Sequence, residues 1–112
     1  MEPQPVAELD AAAAARLLAE GGAVALDVRE NDEWAAGRIA GSIHLPLAEL
    51  VVRQDEIPED VSLVVVCRSG SRSAWAAQML ARAGYEAWNL AGGLQAWDTA
   101  GLPLEPDGGY VA

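Results

Sequence analysis

An α/β domain is what this sequence predicts, built on a mainly parallel central sheet of about five strands with helices on both faces. Two observations carry that expectation. Short apolar, β-branched runs alternate along the chain with longer stretches of helix formers whose apolar residues return at helical spacing. The clearest run, Val61-Ser62-Leu63-Val64-Val65-Val66, is almost uniformly apolar, the pattern of a strand covered on both faces. Such strands belong to parallel sheets, joined by right-handed crossovers.

Each element has its local signal. Asp10 suits an N-cap and Gly21 a left-handed stop, so Ala11–Glu20 is expected as a helix. Ala23–Val28 follows as a buried strand. Asn31 or Asp32 caps a short helix through Trp34 to Gly37, and Ser42–Leu45 is a short strand halted by Pro46. Leu47–Arg53 is ambiguous, read as a short helix, and Asp55–Asp60 is a charged loop containing Pro58. After the Val61–Val66 strand comes a polar loop, Cys67–Arg72, and then a helix over Ser73–Arg82 with Trp75, Ala76, Met79 and Leu80 at helical spacing. Gly84 ends it. Tyr85–Leu90 reads as a strand, Gly92-Gly93 opens a last helix through Trp97, and Gly101-Leu102-Pro103 stops that helix. One domain over residues 1–112 is expected, its core spanning about 6–103, with short frayed termini that include Glu105–Ala112.

Composition bounds the function. Of 112 residues, 52% are hydrophobic and 21% charged, enough apolar side chain for a core and too little charge for disorder. Seven Arg, no Lys and 17 acids leave a net charge of −10. Nucleic acid and anionic membrane are polyanions, so neither is expected as a partner. Any small anionic substrate must be held by local Arg side chains. The longest uncharged stretch, Ala87–Trp97, has 11 residues, against the ~20 of a spanning helix. The opening MEPQPVAELD has no basic residue and no apolar segment, which points to the cytoplasm. A single cysteine, Cys67, and a single histidine, His44, leave no internal disulfide and no thiolate zinc site within the chain.

The chemistry concentrates at Cys67. A strand, a tight polar loop and a helix N-terminus can curl backbone N–H groups around an anion. At the base of that cradle a thiol has its pKa lowered, giving a thiolate at neutral pH with no general base. Arg68 and Arg72 add positive charge and paired donors. Ser69, Ser71 and Ser73 can donate hydrogen bonds, and Gly70 permits the curvature. A lone cysteine at a strand end is most often inert core. An inert cysteine, however, has no need of two Arg, three Ser and a Gly in the next six positions, because charges resist burial.

Cys67-Arg68-Ser69-Gly70-Ser71-Arg72-Ser73 resembles the active-site loop C-x-x-G-x-R-S of the rhodanese family of sulfurtransferases. Two further stretches resemble the family in the same order: Asp27-Val28-Arg29 through Glu33-Trp34 to Gly37-Arg38-Ile39 and Gly41–Pro46, then Gly92-Gly93-Leu94 with Trp97 and Gly101–Pro103. Arg38 departs from the pattern, since the family usually has histidine there. The resemblance implies a rhodanese-like fold and two-step covalent chemistry. Cys67 takes sulfane sulfur from a small anionic donor such as thiosulfate and passes it to an acceptor: cyanide, a thiol or a sulfur-accepting protein. The loop is implied to bind substrate through Arg68, Ser69, Gly70, Ser71, Arg72 and Ser73, with Asp27 and Arg29 in support and no cofactor or metal. Family phosphatases use C-x5-R; here four residues separate Cys67 from Arg72, a smaller ring suited to one sulfur atom. The alternative reading is a non-catalytic rhodanese-like interaction or regulatory module. Such modules typically lose the cysteine or degrade the loop.

Asp27 and Arg29 are expected as a structural ion pair, Glu33 as a loop-bracing or helix-face carboxylate, and His44 as structural. Arg72 is expected to bond loop carbonyls and Arg68 to point to solvent. The four tryptophans read as core, with Trp34 or Trp75 as rim candidates.

Overall fold

The computed structural model describes residues 7–112. Five parallel strands lie side by side in the order β1-β5-β4-β2-β3. They are β1 (Glu8–Leu9), β2 (Val24–Asp27), β3 (Ile43–His44), β4 (Leu63–Val66) and β5 (Ala87–Leu90). The α-helices are α1 (Ala11–Ala19), α2 (Asn31–Ala36), α3 (Ser71–Arg82) and α4 (Gly93–Thr99). The fold class read from the sequence is the one observed.

The central strand decides both layers. Along β4 every side chain is buried, and successive residues point to opposite faces. Leu63, Val65 and Cys67 pack with Leu26, Val28, Leu45, Ala76, Ala77 and Leu80 on the α3 face. Val64 and Val66 pack with Ala11, Ala14, Ala25, Leu90, Leu94 and Trp97 on the α1 and α4 face. Two cores on one sheet require the near-continuous apolar strand that the sequence displays.

Several boundaries differ from expectation. The strand β1 was not legible: two residues without an apolar pattern become a strand only because Asn89 N donates to Ala7 O and Ala91 N to Leu9 O, at 2.8 and 2.9 Å. Glu30, not Asn31 or Asp32, caps α2 through a reciprocal capping box with Glu33. Leu47–Glu49 and Gln54–Glu56 are single 3-10 turns rather than one short helix and a loop. The helix α3 starts at Ser71, two residues early, so Ser71, Arg72 and Ser73 form its first turn.

The C-terminal segment, expected to fray, packs back on the domain. Arg38 and Glu105 exchange backbone hydrogen bonds, Tyr110 N donates to Ala36 O at 2.9 Å, and Leu104 and Val111 pack on the core. Its polar, glycine-rich sequence hides this, because the backbone contacts are made to Ala36 at the end of α2 and to Arg38 just after it, far away in the chain. The other expected frayed end, before residue 7, and Val6 of the expected core lie outside the described residues. Among the described residues no helix is long and apolar enough to cross a membrane.

Candidate active site

The carboxyl ends of β2, β4 and β5 converge on one edge, where open α/β sheets bind their ligands. Cys67 follows β4 directly and is fully buried at the floor of the loop. Its Sγ accepts hydrogen bonds from Gly70 N at 3.1 Å and Ser73 Oγ at 3.2 Å. Gly70 can aim its N–H inward because it adopts φ +104°, a left-handed conformation at the N-cap of α3. Burial pushes the thiol pKa up, but the Ser73 hydroxyl and the backbone N–H groups of Ser73, Gly70 and Ser69 outweigh it, and the net shift is downward. Among the described residues, Gly70 N and Ser73 Oγ are the two donors within hydrogen-bond distance of the sulfur. Ser69 and Ser71 are exposed.

Arg72 does not bond loop carbonyls. Both its terminal nitrogens donate to the carboxylate of Glu33 on α2, each at 2.8 Å. The loop carbonyls are held instead by α4: Leu94 N donates to Cys67 O at 2.9 Å and Gln95 N to Arg68 O at 3.0 Å. The orphan N–H groups of a helix start are well suited to this task. Gly92-Gly93 therefore does more than open a helix, because it brings those donors against the loop. Gly93 has φ +61°, and a Cβ there would sit 2.5 Å from Arg68 O and 2.6 Å from Cys67 O.

Hydrogen bonding by Arg72 holds the Glu33 carboxyl well down, to about 2, against some burial. A carboxylate whose folded pKa is depressed stabilises the fold above its unfolded pKa and loses that contribution as pH falls towards the folded value. We expect Glu33→Gln to lower Tm by a constant amount above pH ~4.5. The gap to the parent should shrink steadily below that. Parallel melting curves from roughly pH 6 to 2.5 check this, and a gap independent of pH would remove the ion pair as its cause.

Asp27 and Arg29 form the expected structural pair, with side chains 1% and 0% exposed. Asp27 accepts from Arg29 Nε at 2.9 Å and Nη2 at 2.8 Å, while Arg29 also donates to Glu33 O and Gly37 O. A buried guanidinium is costly unless every donor has a partner; here it ties the middle of α2 and its C-cap to the end of β2. Through Glu33 and Arg72 that lock reaches the loop. His44 Nε2 donates to Arg29 O at 2.7 Å and stacks on Trp34 at 4.5 Å. Arg38 lies over that same indole at 5.0 Å, so the residue replacing the usual histidine joins a stack away from Cys67. Trp97 is core. Trp75 is 55% exposed on α3, two residues after Ser73, and is not the core residue its spacing suggested.

Arg68 is exposed, as expected, but it is not free. Nε donates to Ala112 O at 2.9 Å, and Gln95, with its amide oxygen turned to the guanidinium, accepts at 3.0 and 3.2 Å. Arg72, by contrast, is held by the Glu33 carboxylate.

A rhodanese-like domain profile matches residues 10–100. The chain belongs to the rhodanese-like family. A sulfurtransferase of Allochromatium vinosum is 40% identical over 106 residues, covering 92% of this chain and 99% of that protein. A thiosulfate sulfurtransferase of Actinobacillus succinogenes is 36% identical over 84 residues, 74% of this chain and 76% of its own length. Among solved structures, a rhodanese-related protein from Thermoplasma volcanium superposes with a TM-score of 0.83 at 33% identity, covering 88% of this chain and 96% of that one.

Sequence reasoning missed two contributors to this rhodanese-like site. Asn89 is a buried amide in a strand, a residue type depleted there, and that rarity was the available signal. Glu33 was seen only as a generic bracing carboxylate, because its partner lies 39 positions away. Among the described residues no group of three His, Cys, Asp or Glu could hold a metal.

Proposed function

We propose that this rhodanese-like chain is a sulfurtransferase acting through a persulfide on Cys67. The observation that supports it most is the sulfur itself: one buried thiol, its pKa lowered by donors from Gly70 and Ser73, at the N-terminus of a 12-residue helix. The Cys67 thiolate attacks the outer sulfur of a sulfane donor such as thiosulfate. A sulfur–sulfur bond forms to Cys67, the donor's own bond breaks, and sulfite leaves with the bonding pair. The persulfide then gives its terminal sulfur to cyanide, a thiol or a sulfur-accepting protein, and the thiolate returns. Residues 6–103 act as one unit in this reading, in the cytoplasm, where thiol acceptors stay reduced. Intact-mass spectrometry after incubation with thiosulfate tests it. A gain of one sulfur, removed by cyanide, is expected; an unchanged mass favours the interaction module.

The exposed position of Arg68 directly after Cys67, in a chain of net charge −10, supports a role in donor capture. Arg68→Ala should raise the thiosulfate KM by roughly 3- to 10-fold, with less effect on kcat, since the contact is made before and during attack alike. Steady-state rates at varied thiosulfate check this, and an unchanged KM rules the role out.

A further inference from the structure

The mechanism leaves one buried polar group without a task. Asn89, on β5, is 2% exposed. Its Nδ2 donates to Glu8 Oε2 at 2.9 Å and to Gly70 O at 3.1 Å, which uses both amide hydrogens. The amide therefore cannot turn around, and Oδ1 must face Ser73 Oγ, 2.5 Å away. That same hydroxyl lies 3.2 Å from Cys67 Sγ. A serine carries one hydroxyl proton. Asn89 Oδ1 has none to offer and neither has a thiolate, so amide and sulfur compete for the proton of Ser73. When Cys67 is protonated the competition vanishes: its S–H can donate to Ser73 Oγ, Ser73 donates to Asn89, and every group is satisfied.

We propose that Asn89 is a positioning residue for Cys67, acting through Ser73, whose proton points to Asn89 while the thiol is protonated and swings to the sulfur on ionisation. The competition favours the thiol and opposes the backbone donors of the loop. That opposition has a use. Nucleophilicity falls as thiol pKa falls, and the best attacking thiol has a pKa near ambient pH. The amide holds back part of the lowering that the loop donors bring about. The inference rests on Cys67 being the reacting group.

Other charges border the cluster. Arg72 on α3 is paired with Glu33 of α2, Arg68 is bonded at the surface, the Asp27–Arg29 pair closes the end of β2, and Glu8 on β1 lies behind Asn89. The first turn of α4 carries no acidic residue. Only Glu8 is tethered by Asn89, so it is the group a substitution there would release.

The test is the pH dependence of iodoacetamide alkylation in the native chain, Asn89→Leu, Ser73→Ala, the double variant and Glu8→Gln. Leucine is near in size and suits a buried strand. Asn89→Leu should lower the midpoint by roughly half to one pH unit, because Ser73 then donates to sulfur unopposed. Ser73→Ala should raise it, Ser73→Thr should restore it, and adding Asn89→Leu to Ser73→Ala should change nothing further. A merely structural Asn89, bracing Gly70, predicts the opposite sign, since a loosened loop donates less. A midpoint that rises or stays in Asn89→Leu overturns the proposal, as does a fall reproduced by Glu8→Gln. Should Asn89→Leu not fold, infrared spectroscopy of the native chain at low pH decides. One cysteine gives one S–H stretch, expected at the frequency of a hydrogen-bonding donor and shifted towards that of a free thiol in Ser73→Ala; a free-thiol band in the native chain overturns the proposal. Alkylation needs no sulfur transfer. A chain that shows this pattern yet gains no sulfur from thiosulfate would therefore refute the sulfurtransferase reading alone.

Discussion

Cys67→Ser is expected to abolish thiosulfate-to-cyanide transfer, with a loss of at least ~10³-fold, while the protein still folds. A hydroxyl at this site meets the same donors, from Gly70 N and Ser73 Oγ, that the sulfur meets. It is smaller and more polar than the thiol, in a position that belongs to the buried cluster of Leu26, Val65 and Ala77. A stability change of about 1 kcal/mol is therefore expected, the balance of a small cavity against retained hydrogen bonds. Those donors lower a thiol's pKa but leave a hydroxyl far from ionised, and oxygen cannot carry a persulfide. The chain has no second cysteine to take over the sulfur. Transfer rates and a melting curve for this variant give the answer together. Substantial activity in a folded Cys67→Ser protein would falsify the assignment of the nucleophile.

Gly93→Ala should be the most damaging change outside the cysteine. Its φ of +61° already disfavours any β-carbon, by about 1–2 kcal/mol. The added methyl would also press into the Arg68 and Cys67 carbonyl groups at 2.5–2.6 Å. These are backbone atoms held by Leu94 N and Gln95 N, so neither side can yield without breaking the bonds that seat the loop. A total cost of about 2–4 kcal/mol follows, or a Tm lower by roughly 10 °C or more. The loop donors should move off the sulfur as well, so that transfer falls and the alkylation midpoint of Cys67 rises. Gly21→Ala is the control. Gly21 has a similar φ of +74°, but nothing lies within 4 Å of the added carbon, so only the conformational cost applies. Equal losses in the two variants would show that the contact with the loop is not what matters.

The local and the distant parts of this site were unequally legible. Cys67, Gly70 and Ser73 sit within seven consecutive positions, and a strand–loop–helix segment brings them together whatever the rest of the chain does. The Glu33–Arg72 pair, the α4 donors and Asn89 reach the loop from other elements, at separations that no local pattern records. Arg72 is the instructive case. Its position predicted a cation near the loop, yet only the docking of α2, held by the buried Arg29, decided that the cation would be neutralised by Glu33 rather than offered to the loop or a ligand.

From its sequence by itself this protein is an acidic α/β chain with a parallel sheet, two apolar faces and one reactive-looking cysteine in a polar loop, because those properties follow from residue order over short spans: periodicity, capping, charge count and the spacing of a single motif. The pairing of Glu8-Leu9 with β5, the folding back of the C-terminal segment onto α2, the tethering of Arg68 and neutralisation of Arg72, and the contest between Asn89 and Cys67 for one serine proton were decided only in the tertiary structure. Each depends on which side chains the packed sheet brings within about 3 Å of each other, the range at which a hydrogen bond exists at all, and that distance is a property of the whole fold.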